Sequence, residues 1–186
     1  RVRRTDASCT EAAVTAAEIP AILAALGIAA ADPHRRDDAT VWDLELDGAR
    51  RRGLRVSLIL DARNGGALII WAHLAPPLGD GLRKAYRQLL EWNDRFLFAK
   101  FSIATDGRPT LSVELRASEA DAAQLTESLA RVVLIADAVF GETAEWIWIG
   151  GTVPPDPGTE RRNAALLVAA GELELEAALQ RERELD

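Results

Sequence analysis

The sequence predicts an α+β domain: an antiparallel β-sheet of about five strands with helices packed on one face, in the order αβββαββα, followed by a C-terminal extension. Three observations lead there. Apolar and polar residues alternate over 41–47, 54–61 and 110–115, the period of half-buried strands. Apolar residues recur every three or four positions near 15–26, 80–93 and 118–140, the period of amphipathic helices. The links at 48–53, 61–66 and 105–108 are short and carry Gly, Asp and Arg, so successive strands join as antiparallel hairpins and not as crossover units.

Residues 1–14 read as a loose polar arm. Thr15 and Glu18 have capping-box spacing, Ile19, Ile22, Leu23 and Leu26 share one helical face, and Gly27 is the stop, which places Pro20 in the first turn. Asp32-Pro33 and the charged run to Asp38 read as a loop. In the first strand Trp42, Leu44 and Leu46 alternate with Asp43, Glu45 and Asp47; in the second Leu54, Val56, Leu58 and Leu60 alternate with Arg55, Ser57, Ile59 and Asp61. The third, Ala67 to Leu74, is apolar on both faces and so belongs at the centre of the sheet or under a second cover.

After Ala75-Pro76-Pro77, Asp80 caps a helix to about Asn93 with Leu82, Tyr86, Leu89 and Leu90 inward. A fourth strand, Phe96 to Ala104, is again apolar on both faces; a turn at Thr105 to Arg108 leads to a fifth with Leu111, Val113 and Leu115 on one side. Ser118 starts a long helix to about Phe140, with Leu125, Leu129, Val132, Val133 and Ala136 inward and Gly141 at its end. Trp146 to Ile149 is a candidate sixth strand, 153–158 a Pro-rich linker, and Thr159 opens a last helix in which Val168, Leu175 and Leu179 share a face and Gly171 is a weak point. The organisation expected is a main domain at 15–141 and an extension at 142–186.

With 186 residues the chain can bury one sizeable core, and no apolar run approaches the roughly 18 residues that span a bilayer. Without such a run a membrane is not expected as a partner, and a net charge of −7 disfavours an unselective grip on phosphate backbones, so nucleic acid is not expected either. Cys9 is the single cysteine and no signal-like apolar segment opens the chain, which fits a reducing cytoplasm.

Catalytic machinery is sparse. His34 and His73 have no further His or Cys at ligand spacing, no nucleophile elbow is present, and Cys9 lacks an identifiable base, so neither a metal, a cofactor nor an enzyme is expected. Asp43 to Gly48 opens like a calcium loop, but the twelfth position is Leu54 where a bidentate Glu is required. Gly79, Gly81, Arg83 and Lys84 make a weak candidate for an anion site at a helix start; a plain turn with an N-cap is the simpler reading. Arg50, Arg51, Arg52 and Arg55 read as a solvated basic turn, with a contact to an acidic partner as the alternative. Glu172, Glu174 and Glu176 read as a solvated face.

Apolar excess is the more informative signal. Ile69 and Trp71 on the third strand, and either Phe96 and Phe98 or Leu97 and Phe101 on the fourth, exceed what one helix-covered face can bury. The surplus must meet a second subunit, the C-terminal segment or a client, and Trp71, Phe98, Trp146 and Trp148 are the contact candidates.

The stretch from Leu90 to Asp137 resembles the YbjN-type proteins of bacteria, relatives of type III secretion chaperones. Asn93, the run Phe96-Leu97-Phe98-Ala99-Lys100-Phe101, Asp106-Gly107 before a strand ending Val113-Glu114-Leu115, and a long helix containing Ala136-Asp137 carry the resemblance, which extends over roughly 15–140. It implies a secretion-chaperone-like sheet with helices on one side, frequent dimerisation, and binding or regulation in place of catalysis. The expectation is a non-catalytic protein-binding adaptor or chaperone-like regulator acting as a homodimer. The alternative is a small-molecule or nucleotide-responsive regulator with an anion site at the Gly79 to Lys84 turn.

Overall fold

A computed structural model describes residues 13–63, 66–78, 83–147 and 151–173. Six strands, β1 (His34–Arg36), β2 (Ala39–Leu46), β3 (Leu54–Asp61), β4 (Ala67–His73), β5 (Lys100–Ile103) and β6 (Pro109–Arg116), form one open antiparallel sheet in the order β1-β2-β3-β4-β6-β5. The helices are α1 (Ile19–Ala25), α2 (Arg83–Arg95), α3 (Ala122–Ala138), α4 (Ala144–Ile147) and α5, helical over 164–173. The arm at 1–12, with Cys9, lies outside the described residues.

The sheet has one strand more than expected. The charged segment taken for a loop folds back as β1, because Asp37 adopts the left-handed conformation (φ +54°) and closes a two-residue turn that pairs Arg36 with Ala39. As expected, β4 is central: Ile70 faces Leu58 of β3 and Val113 of β6. The chain leaves β4 through α2 and returns at the far edge, so β6 and not β5 lies beside β4.

Strand alternation sorts the sheet into a dry and a wet side. Trp42, Leu44, Leu58, Leu68, Ile70 and Leu111 are buried in one cluster with Ile19 and Leu23 of α1, Leu89 and Trp92 of α2, Leu125, Leu129 and Val132 of α3, and Leu166 and Ala170 of α5. Each fully buried aliphatic side chain contributes roughly 1.5–3 kcal/mol relative to exposure. The helices thus cover one side, and the other carries no helix among the described residues.

Local chemistry sets the helix ends. Glu18 reaches back to the Thr15 amide (2.9 Å) and hydroxyl (2.7 Å), the back half of a capping box, although regular helix begins only at Ile19 with Pro20 in its first turn. At the other end Gly27 (φ +71°) donates to Ala24 O and Ile28 donates to Leu23 O, a Schellman stop that turns Ile28 into the core. In α3 the cap is Asp121, whose carboxylate accepts from the Gln124 amide at 2.7 Å, so regular helix starts after Ser118 by one turn.

Four expectations change. Phe96 to Ala99 is a turn, and only Lys100–Ile103 forms the strand, since Phe98 has φ +58° and cannot continue an extended chain. The inward face of α2 is Ala85, Leu89 and Trp92, while Tyr86 and Leu90 are exposed, and Asp80 and Leu82 lie outside the described residues; Trp92 takes the inward position, where its ring packs tilted against Phe101. Residues 144–147 are helical and not a sixth strand. On α5 the buried residues are Leu166 and Ala170, whereas Val168 faces outward; Leu175 and Leu179 lie outside the described residues.

Candidate functional site

The candidate contact residues fall on different sides of the molecule. Trp71 lies on the wet side of β4, between Ser57 and Ser112 in register, half-buried, with its ring 5.6 Å from that of His73. The adjacent row runs Ile69, Ile59, Val41 across β4, β3 and β2, so a narrow apolar ridge crosses the uncovered face. Polar groups bound it: Ser57 donates to Asp43 at 2.8 Å, and Lys100 pairs with Glu114 at 3.5 Å.

Phe98 is 78% exposed in the turn between α2 and β5, next to Leu97 at 74%, with Leu90 of α2 at 70%. Asn93 fixes this turn. Its side-chain amide accepts from Phe101 N at 2.7 Å and donates to Phe101 O at 3.0 Å, acting as a one-residue strand partner that starts β5. Arg131 of α3 stacks over the Phe98 ring at 5.3 Å and Arg95 over Phe96 at 4.9 Å, holding the aromatic rings without covering them.

Trp146 belongs to the helical side. Its ring lies 5.4 Å from Trp92, which in turn lies 5.1 Å from Phe101 on the dry face of β5. Trp92 donates its indole N–H to Glu142, and the same carboxylate collects Gln88 and Arg95. Trp146 therefore shares no surface with Trp71, and Trp148 lies outside the described residues. Of the weak anion candidate, Gly79 and Gly81 also lie outside them; Arg83 and Lys84 are exposed on the first turn of α2, and Lys84 faces Glu145 at 3.5 Å.

A polar cluster that the sequence reading missed lies at the β2–β3 turn. Arg50 and Arg55 are exposed as a solvated turn would have them, but Arg51 and Arg52 are not. Arg51 is 8% exposed, and its Nη2 donates to Leu74 O (2.8 Å) and His73 O (3.3 Å) while the guanidinium stacks over Phe140 at 5.6 Å. Burial lowers its pKa to about 10, with Asp137 opposing. Asp137 of α3 accepts from the backbone N–H groups of Arg51 (2.8 Å) and Arg50 (3.1 Å). Arg52 is roofed by the extension, bonding Asp156 at 3.0 Å and Thr159 O.

Asp47 joins the turn to the extension. Its carboxylate accepts from the amides of Gly53 (2.9 Å) and Arg162 (3.2 Å), and Asn163 completes a two-way clasp, accepting from Asp47 N at 2.7 Å and donating to Asp47 O at 2.9 Å. Burial raises the Asp47 pKa, but the two amides and the charges of Arg162 and Arg52 outweigh it, so the group ends below its ordinary value. Asp137 had a signal, as part of the resemblance; Asn163 had none, because a lone polar residue in a linker announces no partner.

Among the described residues no three or more His, Cys, Asp or Glu side chains converge as a metal site, and no helix is long and apolar enough to cross a membrane. The arrangement offers binding surfaces and a braced turn. A search of curated proteins finds no match. A family model matches residues 15–145, covering the sheet, α1 to α3 and the Asp47 and Asp137 turn; the family carries the description "putative bacterial sensory transduction regulator". The chain belongs to the YbjN family.

Proposed function

We propose that this YbjN-family chain is a non-catalytic regulatory adaptor of the cytoplasm, working as a homodimer that takes up an apolar segment of a protein client. One observation carries the reading: Leu97 and Phe98, at 74% and 78% exposure, are consecutive in the turn between α2 and the edge strand β5, and Leu90 of α2 is 70% exposed. Large apolar side chains left so open mark an interaction surface. Asn93 already occupies the outer edge of β5 at Phe101, so the exposed side chains themselves, and not an added strand, take up the second copy or the client. The half-buried ridge at Trp71 is a second, weaker contact of the same kind. The family's description as a regulator agrees with this reading.

The test compares the wild-type chain with a Leu97→Asp, Phe98→Asp variant by light scattering and by affinity capture from extract of the native cell. Both substituted positions are exposed, so the thermal midpoint should hold. The reading expects a dimer mass that falls to one chain in the variant, together with loss of captured protein. A wild-type chain monomeric at tens of micromolar with an unchanged capture profile would overturn it.

A further inference from the structure

A cleft of about 400 Å³ opens between the β2–β3 turn and the end of β4, lined among the described residues by Arg51, Arg55, His73 and Arg108 and by an apolar wall that includes Pro76 and Ile147. Three guanidinium groups and one imidazole meet there on a chain whose net charge is −7, and no described lining residue is a carboxylate. Such a concentration of one sign against low-dielectric walls focuses a positive potential.

The state of each group sharpens this. Arg51 is over nine-tenths buried, held in place by two carbonyls and the Phe140 ring, and its Nη1 has no hydrogen-bond partner among the described residues. No described carboxylate lies within ion-pair distance of it; Asp137, its nearest acidic influence, spends its oxygens on backbone amides. A buried charge without a counter-ion is costly, and Arg51 lines a cleft whose occupant can supply the missing negative charge. Arg55 is exposed and makes no ion pair among the described residues, because Glu45, its cross-strand neighbour, is taken by Arg162 at 2.6 Å. Arg108 pairs with Asp106 at 3.0 Å, which leaves the excess positive. His73 responds to the same field: burial lowers its pKa most and Arg108 next, Asp106 opposes, and Arg55 lowers it by more than Asp43 raises it.

We infer that this cleft binds a small organic anion, its phosphate or carboxylate group held by Arg51, Arg55 and Arg108 and its apolar body laid against the Pro76 and Ile147 wall. Planar guanidinium forks suit a two-oxygen anionic group, and three of them suit phosphate best. The site is distinct from the Gly79 to Lys84 turn and from the apolar surface at Phe98. It touches the turn that the C-terminal extension covers, so occupancy would reinforce the bracing of Arg51.

The experiment uses the full chain and three probes, phenyl phosphate, inorganic phosphate and benzoate, each against sodium chloride of equal ionic strength, read by thermal shift and by calorimetric titration. Phenyl phosphate should bind with one-to-one stoichiometry and raise the melting temperature saturably. Inorganic phosphate should bind at least about tenfold more weakly for want of the apolar body; benzoate reports whether carboxylate suffices. The variants Arg55→Gln and Arg108→Gln, both at the mouth, should keep the unliganded melting temperature and weaken phenyl phosphate about tenfold or more. No saturable response to any probe, or the same response in both variants, would overturn the inference.

Discussion

A methyl group placed on Gly48 would stand 2.3 Å from Oδ1 of Asp137. The backbone of the β2–β3 turn and the carboxylate from α3 are in contact at a spacing that only a residue without Cβ permits. The constraint is one of space: Asp137 must come this close to accept the amides of Arg50 and Arg51. Gly48→Ala should therefore cost about 1–3 kcal/mol, as overpacking of a closed site does. The measurement is a urea titration of Gly48→Ala, Asp137→Ala and the double variant. The alanine at 48 should cost less when Asp137 has been shortened, with a coupling energy above about 0.5 kcal/mol; simple additivity would deny the contact its role.

Acid should loosen the Asp47 clasp. The folded pKa of Asp47 lies below its unfolded value near 3.8. The stability it contributes is then fully present above that unfolded value and is lost as pH falls through the folded one. Wild-type stability should decline from pH 5 to pH 3 more steeply than that of Asp47→Asn, which has no charge to lose there. Equal slopes would show that Asp47 has the same proton affinity in both states.

Asn93→Ala removes both hydrogen bonds to Phe101 and leaves the first residues of β5 without a partner on that side. A loss of about 1–3 kcal/mol is expected, since each bond contributes about 0.5–1.5 kcal/mol. Hydrogen exchange at the Phe101 amide should accelerate beyond what the global loss explains, with amides of β2 and β3 following only the global change.

Removing the chain after Gly151 deletes Asn163, Leu166 and Ala170, all buried. If the extension were only an oligomerisation element, the truncated chain would keep its melting temperature and change its mass. The packing predicts instead a loss of at least about 2 kcal/mol, a fall in Tm of roughly 4–8 °C. Differential scanning calorimetry at two protein concentrations separates the outcomes.

What could be read from the residues follows from how locally each feature is encoded. The strands around Trp42, Leu58 and Val113 declare themselves by alternation, and α3 by its repeating Leu125, Leu129 and Val132, because one dry side imposes those periods. Aromatic residues misled where they had two roles: the run at Phe96 to Phe101 has a strand's composition, yet Asn93 and the left-handed Phe98 divide it into turn and edge. Tyr86 and Leu90 looked as fit for the core as Ala85 and Trp92, and the choice was made by Phe101, a residue on another element. The β2–β3 turn was least legible. Arg51 looks solvated in sequence and becomes buried only because α3, β4 and the extension close around it, three segments that no local window contains.

The Asp47 and Asn163 pair spans 116 positions of chain. Closing so long a loop is entropically expensive, so that contact belongs among the last to form, after the hairpins and α3 have made the surface that receives it. A chain emerging from the ribosome would already hold its sheet before residue 163 appears. For a time the newborn chain thus has its arginine turn unroofed, until residues 156–163 arrive to cover it.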